Sequence, residues 1–130
     1  MTDSIHTGSC LCGAVRYEVH GALRDVLLCH CAMCRKMHGH IGAYSAAPRE
    51  ALRVVESRGL RWYRSSPSAE RGFCGECGGT LFWRGDGRPM TSIAAGTLDA
   101  PTGLKTVLQI YVDHAGDYYV IDERIPQRSD

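Results

Sequence analysis

The chain has 130 residues, 44% of them hydrophobic and 22% charged, with 15 glycines, an ordinary composition for a folded chain with a usable core, and one that excludes disorder. Fifteen Lys and Arg against fourteen Asp and Glu leave a formal charge of +1, so the basic excess that binds nucleic acid or an anionic membrane surface is missing and both drop out as partners. No apolar run is long enough to span a bilayer, and Met1 to Thr7 lack the basic-then-apolar pattern of a secretory signal; the expectation is one domain over residues 1–130, working in the cytoplasm.

In chain order, Gly8-Ser9-Cys10-Leu11-Cys12-Gly13 reads as a tight corner. Ala14 to Val19 follows as a half-buried strand, with Val15, Tyr17 and Val19 alternating against Arg16 and Glu18. Asp25 to Leu28 is a short apolar approach to Cys29-His30-Cys31-Ala32-Met33-Cys34, and Arg35 to Gly39 predicts one helical turn ended by the glycine. Ile41, Ala43 and Ser45 alternate as a strand that stops at Pro48. Leu52–Glu56 and Leu60–Arg64 predict a hairpin turning at Ser57-Arg58-Gly59, with Ser65 to Ser68 as a surface loop. Phe73 to Gly79 is a second cysteine knuckle, left by a strand at Leu81-Phe82-Trp83. Met90–Ala95, Thr106–Val112 and Tyr118–Ile121 complete the strands. Many short strands punctuated by Gly and Pro predict an all-β fold with short helical turns at most.

Seven cysteines need a purpose. The odd count, the close spacings and the missing secretory signal argue for thiolate metal ligands rather than disulfides. A closed structural site needs four thiolates, which Cys10, Cys12, Cys74 and Cys77 supply. Cys29, Cys31 and Cys34 then form a separate three-thiolate site whose open fourth position suits catalysis. The alternative is a second closed site, completed by His38 or His40; His30 sits between two ligands and is badly placed to reach the same ion. Arg35 and Lys36 either hold a substrate carboxylate or lie on a solvated face.

Three separated motifs carry a resemblance over almost the whole chain: Gly8 to Ala14 followed by a strand, Cys29 to Lys36 with Gly39, and Phe73 to Gly79. Gly96-Thr97-Leu98-Asp99 and Ile125-Pro126 also fit. The chain resembles the glutathione-dependent formaldehyde-activating enzyme family, whose relatives include centromere protein V and whose fold is called Mss4-like. That resemblance implies a structural zinc at Cys10, Cys12, Cys74 and Cys77, and a second zinc at Cys29, Cys31 and Cys34. It also implies a carbon–sulfur lyase or synthase that joins glutathione to formaldehyde as S-hydroxymethylglutathione, with the glutathione sulfur meeting the second site.

Zinc favours a deprotonated thiol, and the thiolate is the nucleophile towards an aldehyde carbon. Three thiolates weaken the Lewis acidity of the ion, so such a site suits thiol activation better than carbonyl polarisation. His38, His40 and Tyr44 are within chain reach as general acids, with nothing in the sequence to choose among them. The competing function is a zinc-stabilised binding module with a protein partner, as the Mss4-like fold serves elsewhere for small GTPases.

Ligand count leads to a first prediction: about two zinc ions per chain, the four-cysteine ion much harder to remove than the three-cysteine ion. Chelator treatment followed by metal analysis and circular dichroism should show activity lost before fold. Simultaneous loss of both would count against this division of labour.

Overall fold

The computed structural model describes residues 4–130. The strands are β1 (Ile5–Ser9), β2 (Arg16–His20), β3 (Val26–Cys29), β4 (Gly42–Pro48), β5 (Leu52–Glu56), β6 (Leu60–Ser66), β7 (Ala69–Cys74), β8 (Thr80–Gly85), β9 (Met90–Ala94) and β10 (Thr106–Ile110). Between β3 and β4 lies the helix α1 (Ala32–His38), which ends at Gly39 in the left-handed region at φ 76°. Two sheets result, a three-stranded one ordered β1-β2-β5 and a seven-stranded one ordered β10-β3-β4-β9-β8-β7-β6. Every pairing is antiparallel except β10 with β3. No helix among the described residues is long and apolar enough to cross a membrane.

The alternating residues of β2 explain how the small sheet docks. Tyr17 and Val19 are buried while Arg16 faces solvent, so one side of the strand must be covered. Cover comes from the large sheet, whose Leu81, Phe82 and Ile93 are fully buried against Tyr17, Val15 and Val19. The Tyr17 and Phe82 rings meet edge to face at 5.3 Å, a geometry that contributes about 0.5–1.5 kcal/mol beyond the area it buries. The Tyr17 hydroxyl donates to Thr97 Oγ1 at 2.7 Å, and that hydroxyl donates in turn to the Ala94 carbonyl.

Several expected elements form with different partners. The hairpin of residues 52–64 does not exist: β5 pairs with β2 in the small sheet, whereas β6 pairs with β7 in the large one. The chain crosses between sheets at Ser57–Gly59, where the Gly59 amide donates to the Ala14 carbonyl and the Gly59 carbonyl accepts from Gly75. Leu52 is buried in the core beside Tyr17 and Val19, and Trp62 stacks on Phe82 at 6.1 Å against that same core, so the two strands reach one core from different sheets. The true hairpin is β6–β7, with Ser65 and Ser66 inside β6 and only Pro67-Ser68 turning. Strands β1 and β7 were not expected at all. Tyr118–Ile121 is irregular rather than a strand, because its adjacent tyrosines both hydrogen-bond histidines instead of alternating between faces: Tyr118 with His40 and Tyr119 with His30, each at 2.7 Å.

The crossing at Gly59 has no room for a side chain. A Cβ there would lie 2.7 Å from Cys74 Sγ and 2.9 Å from Ala14 Cβ, an overpacking that costs about 1–3 kcal/mol. Gly59→Ala should therefore lower the melting temperature and speed metal loss to a chelator. An unchanged melting curve together with unchanged metal retention would refute this account of the crossing.

Candidate functional site

Two groups of thiols come together, each with its sulfurs within 4.8 Å of one another: Cys10, Cys12, Cys74 and Cys77, and separately Cys29, Cys31 and Cys34. In the first, the turn after β1 meets the turn after β7. The Cys12 sulfur stands 3.8 Å from those of Cys10 and Cys74, and about 3.8 Å is the edge of a tetrahedron with metal–sulfur bonds of about 2.3 Å. Backbone amides point inward: Val15 N–H donates to Cys10 Sγ, and those of Glu76 and Cys77 donate to Cys74 Sγ, at 3.3 to 3.4 Å. The Cys77 thiol is drawn down to about 6, first by the backbone amide of Cys12 and then by that of Gly79. Four convergent sulfurs served by peptide donors can hold a tetrahedral ion and leave it no free position.

The second group is built on the junction of β3 and α1. Cys29 ends β3, Cys31 caps the helix by accepting the Cys34 N–H at 3.3 Å, and Cys34 sits one turn in. Cys29 and Cys34 are buried, Cys31 partly so. A hydrogen bond from Cys29, helped by Cys31 and the Arg71 guanidinium, outweighs burial and brings the Cys34 thiol down to about 6. That same shared hydrogen bond, with burial, holds the Cys29 thiol high. No histidine or carboxylate among the described residues joins this cluster, so three sulfurs can hold an ion and leave one position over.

The three thiols stand in the wall of a cavity of about 650 Å³. Leu27, Tyr44, Arg71, Trp83 and Ser92 line it as well. The sheet register explains their company, since Leu27 lies opposite Tyr44, Arg71 opposite Trp83 and Trp83 opposite Ser92. They therefore share one face of the seven-stranded sheet. Arg24, Arg88 and Arg128 add positive charge to the wall against Asp130.

The histidines separate into distinct roles. His30 is fully buried and turned away from the thiols, with Nε2 donating to Gln109 Oε1 at 2.9 Å and Nδ1 accepting from Tyr119. Gln109 Nε2 donates onward to the Asp122 carbonyl, so this chain of bonds ties the carboxy-terminal segment to the end of β3. His40 is exposed and bonded to Tyr118. His38 Nε2 lies 2.5 Å from the Tyr44 hydroxyl, behind the cavity wall, and burial, then the charge of Arg71, holds its pKa down. Of the three general-acid candidates only Tyr44 lines the cavity; burial raises its pKa against the opposing pull of Arg71.

Arg35 and Lys36 are not part of the cavity wall, and Arg35 donates instead to the His114 carbonyl. The cations that do line it went unnoticed in the sequence. Arg71 stands three residues before Cys74, but its inward direction becomes legible only once β7 is known to be a strand.

The contrast between the clusters predicts unequal mutants. Cys74→Ala should unfold the protein or abolish its expression, because it opens the cluster that joins β1 to β7, a severe loss of roughly the metal-binding energy. Cys31→Ala leaves that cluster intact, so metal should disappear from the other while melting stays cooperative. Equal destabilisation by both, measured by thermal denaturation and metal content, would show the three-thiol cluster to be a second staple.

Comparison with known proteins agrees with this architecture. A crystal structure of a Rhodobacter sphaeroides protein is similar over 94% of this chain and 99% of its own, with a TM-score of 0.63 at 22% identity. The fold is the mainly-β, Mss4-like one that the motifs led us to expect. An uncharacterized lyase of Schizosaccharomyces pombe is 33% identical over 79 residues, 60% of this chain, and the match spans just over half (56%) of that relative. The family model for glutathione-dependent formaldehyde-activating enzyme matches residues 5–114, a span that includes all seven cysteines. The chain belongs to the glutathione-dependent formaldehyde-activating enzyme family.

Proposed function

We propose that this protein is a zinc-dependent carbon–sulfur lyase or synthase that forms or cleaves the thiol adduct of a small aldehyde, of the S-hydroxymethylglutathione kind, at Cys29, Cys31 and Cys34, with a second, structural zinc at Cys10, Cys12, Cys74 and Cys77. The observation that carries this reading is the opening of the three-thiol cluster into a cavity of about 650 Å³, inside the range of about 300–1,000 Å³ typical of small-molecule sites. A cluster built only to staple the fold has no use for such an opening. The arginines in the wall suit a thiol that carries carboxylates, as glutathione does. The family's description and the lyase name of the yeast relative support the same class.

Zinc in the three-thiolate site would favour the ionised form of an incoming thiol. The chain's own residues supply the rest. As the sulfur adds to the aldehyde carbon, the carbonyl oxygen becomes an alkoxide and needs a proton. Tyr44 reaches the cavity with its phenol kept protonated by burial. Its oxygen accepts from Arg71 Nη1 at 3.1 Å and lies against His38 Nε2, so both neighbours hold it in place. The proton released when the thiol ionises restores the Tyr44 phenol, so the addition is balanced in protons; in the reverse direction the phenol first loses its proton, and the resulting phenolate takes the adduct's hydroxyl proton as the carbon–sulfur bond breaks and the departing thiolate is protonated. Trp83 and Leu27 provide apolar wall that displaces water.

Titrating glutathione into the zinc-loaded protein with and without formaldehyde tests the proposal. Heat of binding and appearance of the adduct are expected. Tyr44→Phe should slow turnover about 100-fold or more while leaving glutathione affinity nearly unchanged, the mark of a lost proton donor. Absence of both heat and product would remove the lyase reading and favour the zinc-stabilised binding module.

A further inference from the structure

A charged side chain buried without a counter-ion is costly, and proteins avoid it unless the surroundings supply the opposite charge. Arg71 is 3% exposed. It enters none of the ion pairs among the described residues, and its Nε is buried with no hydrogen-bond partner. Nη1 donates to the Tyr44 hydroxyl at 3.1 Å, which brings no charge. Nη2 donates to Cys34 Sγ at 3.8 Å, so the thiol cluster is the one hydrogen-bonded neighbour able to carry negative charge. Three thiolates around a divalent ion sum to −1, and one guanidinium brings the total to zero.

We propose that Arg71 is the counter-ion built into the fold for the three-thiolate metal centre, and that its hydrogen bond draws electron density from Cys34, leaving the bound ion more Lewis-acidic than three unassisted thiolates would. The inference rests on the metal occupancy proposed above and not on the reaction. It answers a chemical difficulty, since three thiolates over-neutralise a divalent cation and blunt it as an electrophile. Other cations of the cavity do not share the position. Arg24 donates to the Tyr44 and Asp25 carbonyls, and Arg88 lies over the Trp83 ring at 5.7 Å. Only the planar fork of an arginine reaches Tyr44 and Cys34 at once.

The test compares Arg71→Met, Arg71→Lys and Arg24→Gln with the wild type, by chelator competition for zinc and by the sulfur-to-metal charge-transfer bands of the cobalt-substituted protein. Arg71→Met should weaken the three-thiolate site about 10- to 100-fold, the usual effect of losing an outer partner of a metal ligand, and should shift the cobalt bands. The four-thiolate site and the circular dichroism should not change. Arg71→Lys should recover part of the affinity, and Arg24→Gln should keep the wild-type zinc affinity and cobalt bands. Wild-type affinity and spectrum in Arg71→Met, or equal weakening by Arg24→Gln, would overturn the proposal. Should Arg71→Met fail to fold, Arg71→Gln takes its place: lysine must hold the metal better than glutamine, and the opposite order refutes a counter-ion. A wild type that takes up no metal at the three thiols sinks this inference and the lyase reading together, whereas normal metal behaviour without adduct formation sinks the lyase reading alone.

Discussion

The convergence of Cys10 and Cys12 with Cys74 and Cys77 is the constraint on which the rest of the structure depends. Cys12 and Cys74 are 62 residues apart in sequence and 3.8 Å apart at their sulfurs. Closing so long a loop costs conformational entropy, and the crowded, like-natured sulfurs gain little from one another without an ion. A structural zinc contributes roughly 10–16 kcal/mol in peptides, as much as the whole stability of about 5–15 kcal/mol of an ordinary domain. The small sheet is attached to the large one by this cluster and by the Tyr17–Phe82 core beside it.

The two clusters use one kind of ligand, and their surroundings separate them. Around Cys10 and Cys74 the neighbours are peptide N–H groups, fixed dipoles that offset thiolate charge and leave nothing for a ligand to displace. Around Cys34 the neighbours are a guanidinium, a phenol and open volume. Charge at the first is spread over the backbone; at the second it is concentrated on one side chain that also orients a hydroxyl. Such an arrangement suits an ion whose coordination changes during use.

Strand β7 links the two. Its end supplies Cys74 to the closed cluster, and its middle carries Arg71 to the cavity, opposite Trp83. Positions three residues apart on one strand point to opposite faces, because side chains alternate with a period of two, so Arg71 and Cys74 serve different surroundings from the same strand.

What the sequence by itself determined is local. The cysteine spacings of two and three residues place sulfurs together whatever the rest of the chain does, and both groups, the helical turn before Gly39 and the strands at β2, β4, β5, β6, β8, β9 and β10 were legible from short-range pattern, with β3 read only as an apolar approach to its cysteines. Strands β1 and β7 were not, because Ile5–Ser9 and Ala69–Cys74 mix small and polar residues and become strands through their partners rather than their own alternation. Choice of partner was equally hidden: β5 and β6 look like a hairpin, but β5 pairs with β2 in the small sheet and β6 with β7 in the large one, and the two meet only across the shared core of Tyr17 and Phe82. Arg71, Tyr44 and Trp83 come from three strands. Only the tertiary structure decided that they share a wall with three cysteines, because sheet register, a relation between residues far apart in the chain, sets which side chains lie side by side on a face.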